Sequence, residues 1–171
     1  FSGYYTFSDE HGPVIEIKRV MWRNDPILLG APPIKPPGGD RLHDFLPAAQ
    51  LWKRLEEKVA GVRGVGIMPA GAGGFITVVA IDQEYEGHAK EVANTAFVVG
   101  GLGRFLLVVD GDIDPSKEQE VLWALATRCD PQDSVEIVNG CRSTLLDPLI
   151  PPGKRAEGEQ PTTSRVVLLS C

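Results

Sequence analysis

Arg104-Phe105-Leu106-Leu107-Val108-Val109-Asp110-Gly111-Asp112-Ile113-Asp114-Pro115 decides the fold class. Arg104 to Val109 is a short apolar run of the kind that a sheet buries on both faces. Asp110-Gly111 ends it. Asp114 then suits a helix N-cap, and Pro115 suits the first helical position because its missing N–H would go unused there. Val121, Leu122, Leu125 and Ala126 follow at helical spacing. A buried strand that turns directly into an amphipathic helix belongs to α/β architecture.

The flanking sequence repeats the alternation. On the N-terminal side lie a helix over Glu86–Val99, with Ala89, Val92, Ala93, Ala96 and Phe97 inward, and two strands, Val62–Met68 and Phe75–Ile81. An earlier helix starts with Asp44 as N-cap and Pro47 in its first turn. Phe45, Ala48, Ala49, Trp52, Leu55 and Val59 form its inward stripe, and Gly61 closes it. On the C-terminal side, Val135–Val138 and Arg165–Leu169 read as strands, separated by a polar, Pro/Gly-rich stretch over 151–164. The order predicts a mixed sheet with helices packed on it.

Residues 31–43 form a boundary. Ala31-Pro32-Pro33-Ile34-Lys35-Pro36-Pro37-Gly38-Gly39-Asp40 concentrates prolines and glycines into a stiff, extended connector. Before it, Val14–Trp22 alternates partly, with Ile15, Ile17 and Met21 on one side, and reads as a strand with one wetter face that ends at Asn24-Asp25-Pro26. Residues 1–30 are therefore expected to belong to a different unit from residues 44–171. With no initial Met and a final apolar run, Val166-Val167-Leu168-Leu169-Ser170-Cys171, both ends are expected to be cuts in a longer protein.

Composition narrows the function classes. The 171 residues carry 17 basic and 23 acidic side chains, a formal charge of −6. No run of Lys or Arg forms the basic stripe of a nucleic-acid binder. Nothing approaches the ~18 apolar residues that read as a membrane span. Cys129, Cys141 and Cys171 lack C-x-x-C spacing and leave one thiol over, which suggests reduced cysteines and a cytoplasmic location, with a Cys129–Cys141 bridge as the alternative.

Candidate chemistry is sparse. Asp110-Gly111-Asp112-Ile113-Asp114 invites a calcium loop, yet the sixth and twelfth positions from Asp110 hold Pro115 and Val121, where an EF-hand needs Gly and Glu. Asp110 and Asp112 remain open to a cation or a neighbouring chain. Gly71-Ala72-Gly73-Gly74 and Gly100-Gly101-Leu102-Gly103 lack the Gly-Lys-Ser/Thr of a phosphate loop and read as turns. His11, His43 and His88 have no mutual metal spacing, and His88 is expected to face solvent. His43 lies between Asp40 and Asp44 at a helix start, where capping competes with anion binding. The residues alone give an α/β domain without a visible catalytic set.

Two stretches nevertheless carry a resemblance. Arg23-Asn24-Asp25-Pro26-Ile27-Leu28, followed by the Pro-Pro…Gly-Asp connector, is one. Val108-Val109-Asp110-Gly111-Asp112-Ile113-Asp114, running into Glu120-Val121-Leu122-Trp123-Ala124-Leu125-Ala126-Thr127-Arg128-Cys129-Asp130-Pro131, is the other. Together they resemble the UbiD family of reversible decarboxylases that use prenylated FMN. Phe1-Ser2-Gly3-Tyr4-Tyr5 resembles the residues following that family's catalytic glutamate.

The resemblance implies a C-terminal α/β domain over 44–171, truncated before its last helix. It also implies that residues 1–30 are the end of a central split β-barrel, with 31–43 connecting the two. The Arg, the paired glutamates, and most contacts to prenylated FMN, a divalent metal and K+ would lie upstream. No cofactor is then expected on this segment, which alone should be inactive. It implies an aromatic, heteroaromatic or α,β-unsaturated carboxylic acid as substrate, and one pocket wall built from Asp40, His43 and Asp44 with Ser143 to Leu145. Two acids beside a histidine hint at a polar or hydroxylated substrate. Homodimer or larger homo-oligomer contacts are implied too. A non-catalytic oligomerisation or binding domain is the competing reading.

Overall fold

The structure, a computed structural model, describes residues 13–28, 30, 42–72, 74–100, 103–151 and 160–171, with 42–44 described by backbone alone. The apolar runs pair as strands β1 (Val62–Ile67), β2 (Ile76–Ile81), β3 (Phe105–Asp110), β4 (Val135–Arg142) and β5 (Thr162–Ser170). Helices α1 (Leu42–Glu56), α2 (His88–Val99) and α3 (Glu118–Arg128) interleave with them.

The sheet order is β1-β2-β3-β5-β4. The inner pairs β2–β3 and β3–β5 are parallel, and the outer pairs β1–β2 and β4–β5 are antiparallel. Two cores follow from this order. On one face, Leu51 and Leu55 of α1 and Val92, Ala93 and Ala96 of α2 meet Val79, Ile81, Leu106, Val108 and Val167. On the other, Val121 and Ala124 of α3 meet Val78, Ala80, Leu107 and Val109, the alternate residues of the same strands. Strands β2 and β3 are thus buried from both sides, as the apolar run Arg104–Val109 suggests. Strand β4 is an edge, and most of its residues are exposed.

Several expectations are corrected. Val14–Trp22 forms no strand: among the described residues it pairs with nothing and stays exposed, and a strand without a partner has no ladder bonds to hold it. Helix α1 starts at Leu42, so Asp44 lies inside it rather than capping it, and Pro47 falls beyond the first turn. Its buried face is Ala48, Leu51 and Leu55, while Phe45 and Ala49 are exposed and Trp52 is partly so. Helix α3 begins at Glu118 rather than Pro115. Asp114 instead closes a tight turn, accepting from the Ser116 N–H at 3.0 Å and its hydroxyl at 2.7 Å. All three cysteines are free thiols. Residues 1–12, most of the connector with Asp40, and residues 152–159 lie outside the described residues.

Candidate functional site

Strand β4 leaves the sheet at Arg142, and the sequence that follows, Ser143-Thr144-Leu145-Leu146-Asp147-Pro148, is rich in turn chemistry. The Thr144 hydroxyl accepts the Leu146 N–H at 3.3 Å, and the Asp147 carboxylate accepts the Leu149 N–H at 2.9 Å. The Ser143 hydroxyl donates to the other Asp147 oxygen at 2.6 Å, and the Ser143 N–H donates to the Pro161 carbonyl at 2.8 Å. Asp147 is only 1% exposed and forms an ion pair with Arg104, at the start of β3. Arg104 in turn lies over the Phe75 ring, 4.4 Å from its centre. The loop is therefore fastened to the sheet by a buried carboxylate.

Beside this loop runs a groove of about 620 Å³. The end of α2 with Phe97 and Val98 forms one wall, and Ser143, Thr144 and Leu145 form the other. A neighbouring hollow of about 420 Å³ shares Arg142, Gln160 and Pro161 and continues past Gly140. Arg165 lines the groove while being only 9% exposed. It occupies an inward position of β5, in alternation with Val167.

Ser143 and Leu145, expected at the pocket wall, are thus found together on one groove-lining loop. The Ser143 hydroxyl is already committed to Asp147 and holds the loop in place. His43 and Asp44 belong to the first turn of α1, and their side chains lie outside the described residues, as does Asp40. Arg104, Asp147 and Arg165 were not singled out in the sequence. The available signal was an arginine in register with apolar core positions of a strand.

The remaining candidates resolve as structure. His88 is fully buried, not solvent-facing: its Nδ1 accepts the Glu84 N–H at 3.2 Å, and its Nε2 lies 3.1 Å from the Ala60 carbonyl. Tyr85 stacks on the ring. Asp110 and Asp112 face Arg128, which donates to Asp110 at 2.7 Å and to both Asp112 oxygens at 2.8 and 2.7 Å. The Arg128 hydrogen bonds hold the Asp112 carboxyl below its ordinary range. No three His, Cys, Asp or Glu side chains converge on a metal position among the described residues. A Cβ on Gly71 would sit 2.8 Å from Ile76, and one on Gly103 would sit 3.0 Å from Thr77, so both glycines serve close packing of their own chain. No described helix is long and apolar enough to cross a membrane.

A mixed five-stranded sheet with two helices on one face and one on the other defines the chain as an α/β domain. Residues 41–169 match the C-terminal domain of 3-octaprenyl-4-hydroxybenzoate carboxy-lyase, and the chain belongs to this UbiD family. It is 30% identical over 116 residues to anhydromevalonate phosphate decarboxylase of Aeropyrum pernix, covering 68% of this chain and 26% of the relative. It is 32% identical over 155 residues to phenolic acid decarboxylase of Bacillus subtilis, covering 86% and 32%. The UbiD-class enzyme HmfF of Pelotomaculum thermopropionicum, solved in complex with FMN, superposes with a TM-score of 0.63 at 27% identity, over 72% of this chain and 26% of that one. The chain thus spans 26% to 32% of the length of these curated relatives.

Proposed function

We propose that this chain supplies one wall of the substrate pocket in a carboxy-lyase acting reversibly on an aromatic, heteroaromatic or α,β-unsaturated carboxylic acid. The observation that carries the reading is the groove-lining loop Ser143–Leu145, fastened by Asp147 and Arg104. In this reading prenylated FMN, with a divalent metal and K+, is held by a part of the enzyme outside this chain and supplies the electron sink for loss of CO2. The chain's own contribution is positional. Leu145 presents apolar surface that excludes water, the pinned loop fixes the wall, and Asp40, His43 and Asp44 offer polar contacts to the distal end of the substrate. The isolated chain is inactive, and its reduced thiols suit the cytoplasm.

The test is ¹³CO2 exchange into a panel of aromatic and unsaturated acids by the full-length enzyme matured with prenylated FMN. Replacing His43 by Ala should change the order of preferred acids while leaving the melting temperature nearly constant. An unchanged preference with a large fall in melting temperature would make His43 purely structural. Absence of exchange with every acid, in an enzyme that retains flavin, would remove the decarboxylase reading.

A contact role is favoured by a separate observation. Phe45 and Leu46 on α1 and Leu122 and Trp123 on α3 are all more than half exposed. Apolar surface of this kind suits packing against the rest of the enzyme or against a second copy in a homodimer or larger homo-oligomer. Light scattering of the full-length enzyme with Phe45 and Leu122 replaced by Ser checks the oligomer: a mass unchanged from wild type would exclude these residues from the contact.

A further inference from the structure

We propose that strand β4 is a contact between two copies of this chain, its free edge pairing antiparallel with the same edge of a second copy about a two-fold axis at Ile137. Strand β4 has one strand neighbour among the described residues, β5, so its other side is open. The Leu169 N–H donates to the Ser134 carbonyl, so Ser134, Glu136 and Val138 turn their peptide groups toward β5. Val135 and Ile137, between them, turn N–H and C=O outward, a row that a further strand can pair. Edges of soluble proteins are usually guarded by Lys, Pro, a charge or a bulge. From Val135 to Val138 there is no Lys or Pro, and the one charge, Glu136, is held by Lys90 at 3.1 Å. The bulge comes only after Val138, where Gly140 adopts a φ of 70°.

Side chains and charge select a second copy as the occupant. On the face that carries α3, Ile76, Phe105, Val166 and Ile137 stand opposite one another across four strands. Phe105 and Ile137 in this row are exposed, Ile137 by 63%. A two-fold axis at Ile137 sets that residue opposite itself and continues the apolar row into the second copy, so each row covers the other's end. The charges complement each other in the same arrangement. The exposed acids Asp130 and Asp133 precede β4, the exposed Arg142 ends it, and none of the three has an ion pair among the described residues. Antiparallel pairing about Ile137 brings the acidic turn of each copy toward Arg142 of the other. An axis one residue earlier would set Glu136 against itself, and like charges directly opposite repel. This surface is separate from the exposed residues of α1 and α3, and it does not rest on the decarboxylase reading.

The test is oxidative cross-linking of the full-length enzyme carrying Ile137→Cys, read on non-reducing gels. Strands paired at such a position hold their Cα atoms about 5.5 Å apart, within the reach of a disulfide. Ile137→Cys should therefore form a covalent dimer well above the wild-type background, whereas Val98→Cys, at an exposed site on α2, should not. Added to Ile137→Cys, Asp133→Arg should slow cross-linking about fivefold, and Arg142→Asp on top of it should restore the rate. No cross-link at position 137 would overturn the proposal. If the β4 peptide is then also slow in hydrogen exchange, an extended segment of the enzyme occupies the edge in place of a second copy. Equal cross-linking of Val98→Cys would overturn it as random collision, and failure of the second charge change to restore the rate would overturn the register.

Discussion

Arg104 and Asp147 form a buried ion pair that ties the start of β3 to the loop following β4. The carboxylate also accepts from the Ser143 hydroxyl and the Leu149 N–H, so one side chain organises both ends of the loop that lines the groove. Removing one member of such a pair leaves the other charge buried and uncompensated, which costs more than the pair itself contributes.

Asp147→Asn should therefore lose about 3 kcal/mol of stability at neutral pH. The pH dependence has a definite sign. Burial works to raise the Asp147 carboxyl, but the bonds from Arg104, Ser143 and Leu149 outweigh it and leave the group below its ordinary range. That contribution is complete above the ordinary carboxylate pKa of about 4 and is lost as pH falls through the lower native value. Urea unfolding across the acid range should show the wild type converging on the variant. Parallel pH profiles for the two proteins would mean that Asp147 is not ionised in the folded state.

Gly66 tests the packing of β1 against the turn before α3. A Cβ there would run into the Pro115 carbonyl oxygen, a contact with backbone that cannot swing aside. Gly66→Ala should cost about 3 kcal/mol, at the upper end of ordinary overpacking. Gly30, which among the described residues has nothing within 4 Å of its would-be Cβ, provides the control: Gly30→Ala should leave the melting temperature unchanged. A Gly66→Ala protein as stable as wild type would mean that the turn does not rest on the strand.

His88 is a structural group whose tautomer is set by its two backbone partners. With Nδ1 accepting from the Glu84 N–H, the hydrogen sits on Nε2 and is donated to Ala60. Nitrogen chemical shifts should report the Nε2–H tautomer. His88→Ala strands both backbone groups and should cost about 2 kcal/mol. An Nδ1–H tautomer would contradict the arrangement.

How much was legible in the sequence varies with the physics of each element. The buried strand Phe105–Asp110 and helix His88–Val99 follow from local apolar patterns, because burial on a sheet depends on residues close in sequence. Val14–Trp22 misled because alternation records a potential to pair, whereas pairing needs a partner that the described chain does not provide. The inward face of α1 was misjudged because Pro47 shares the helix with large residues on both sides, and the sheet accepts Leu51 and Leu55 rather than Phe45. His88 looked exposed because a histidine at a helix start usually caps or faces water, and only the long-range bond to Ala60 reveals its burial. The same holds for the site. Ser143 and Leu145 were reached through resemblance, whereas Arg104, Asp147 and Arg165 act through partners more than 20 residues away in sequence.

The acidic turn at the end of β3 provides the last prediction. Asp110 and Asp112 carry two negative charges side by side, the usual invitation to a divalent cation, but Arg128 already donates to both and lies over the Trp123 ring at 5.0 Å. A metal would have to displace a guanidinium that cannot lose its charge. Millimolar calcium should therefore leave the melting temperature of the wild type unchanged. In Arg128→Ala the two carboxylates repel without relief, so the variant should melt lower and should be partly restored by calcium. Arg128→Lys should fall between the two, because a point charge cannot make the paired contact to Asp112. Calcium that stabilises the wild type as much as Arg128→Ala would show that the cation, not the arginine, is the natural partner of this turn.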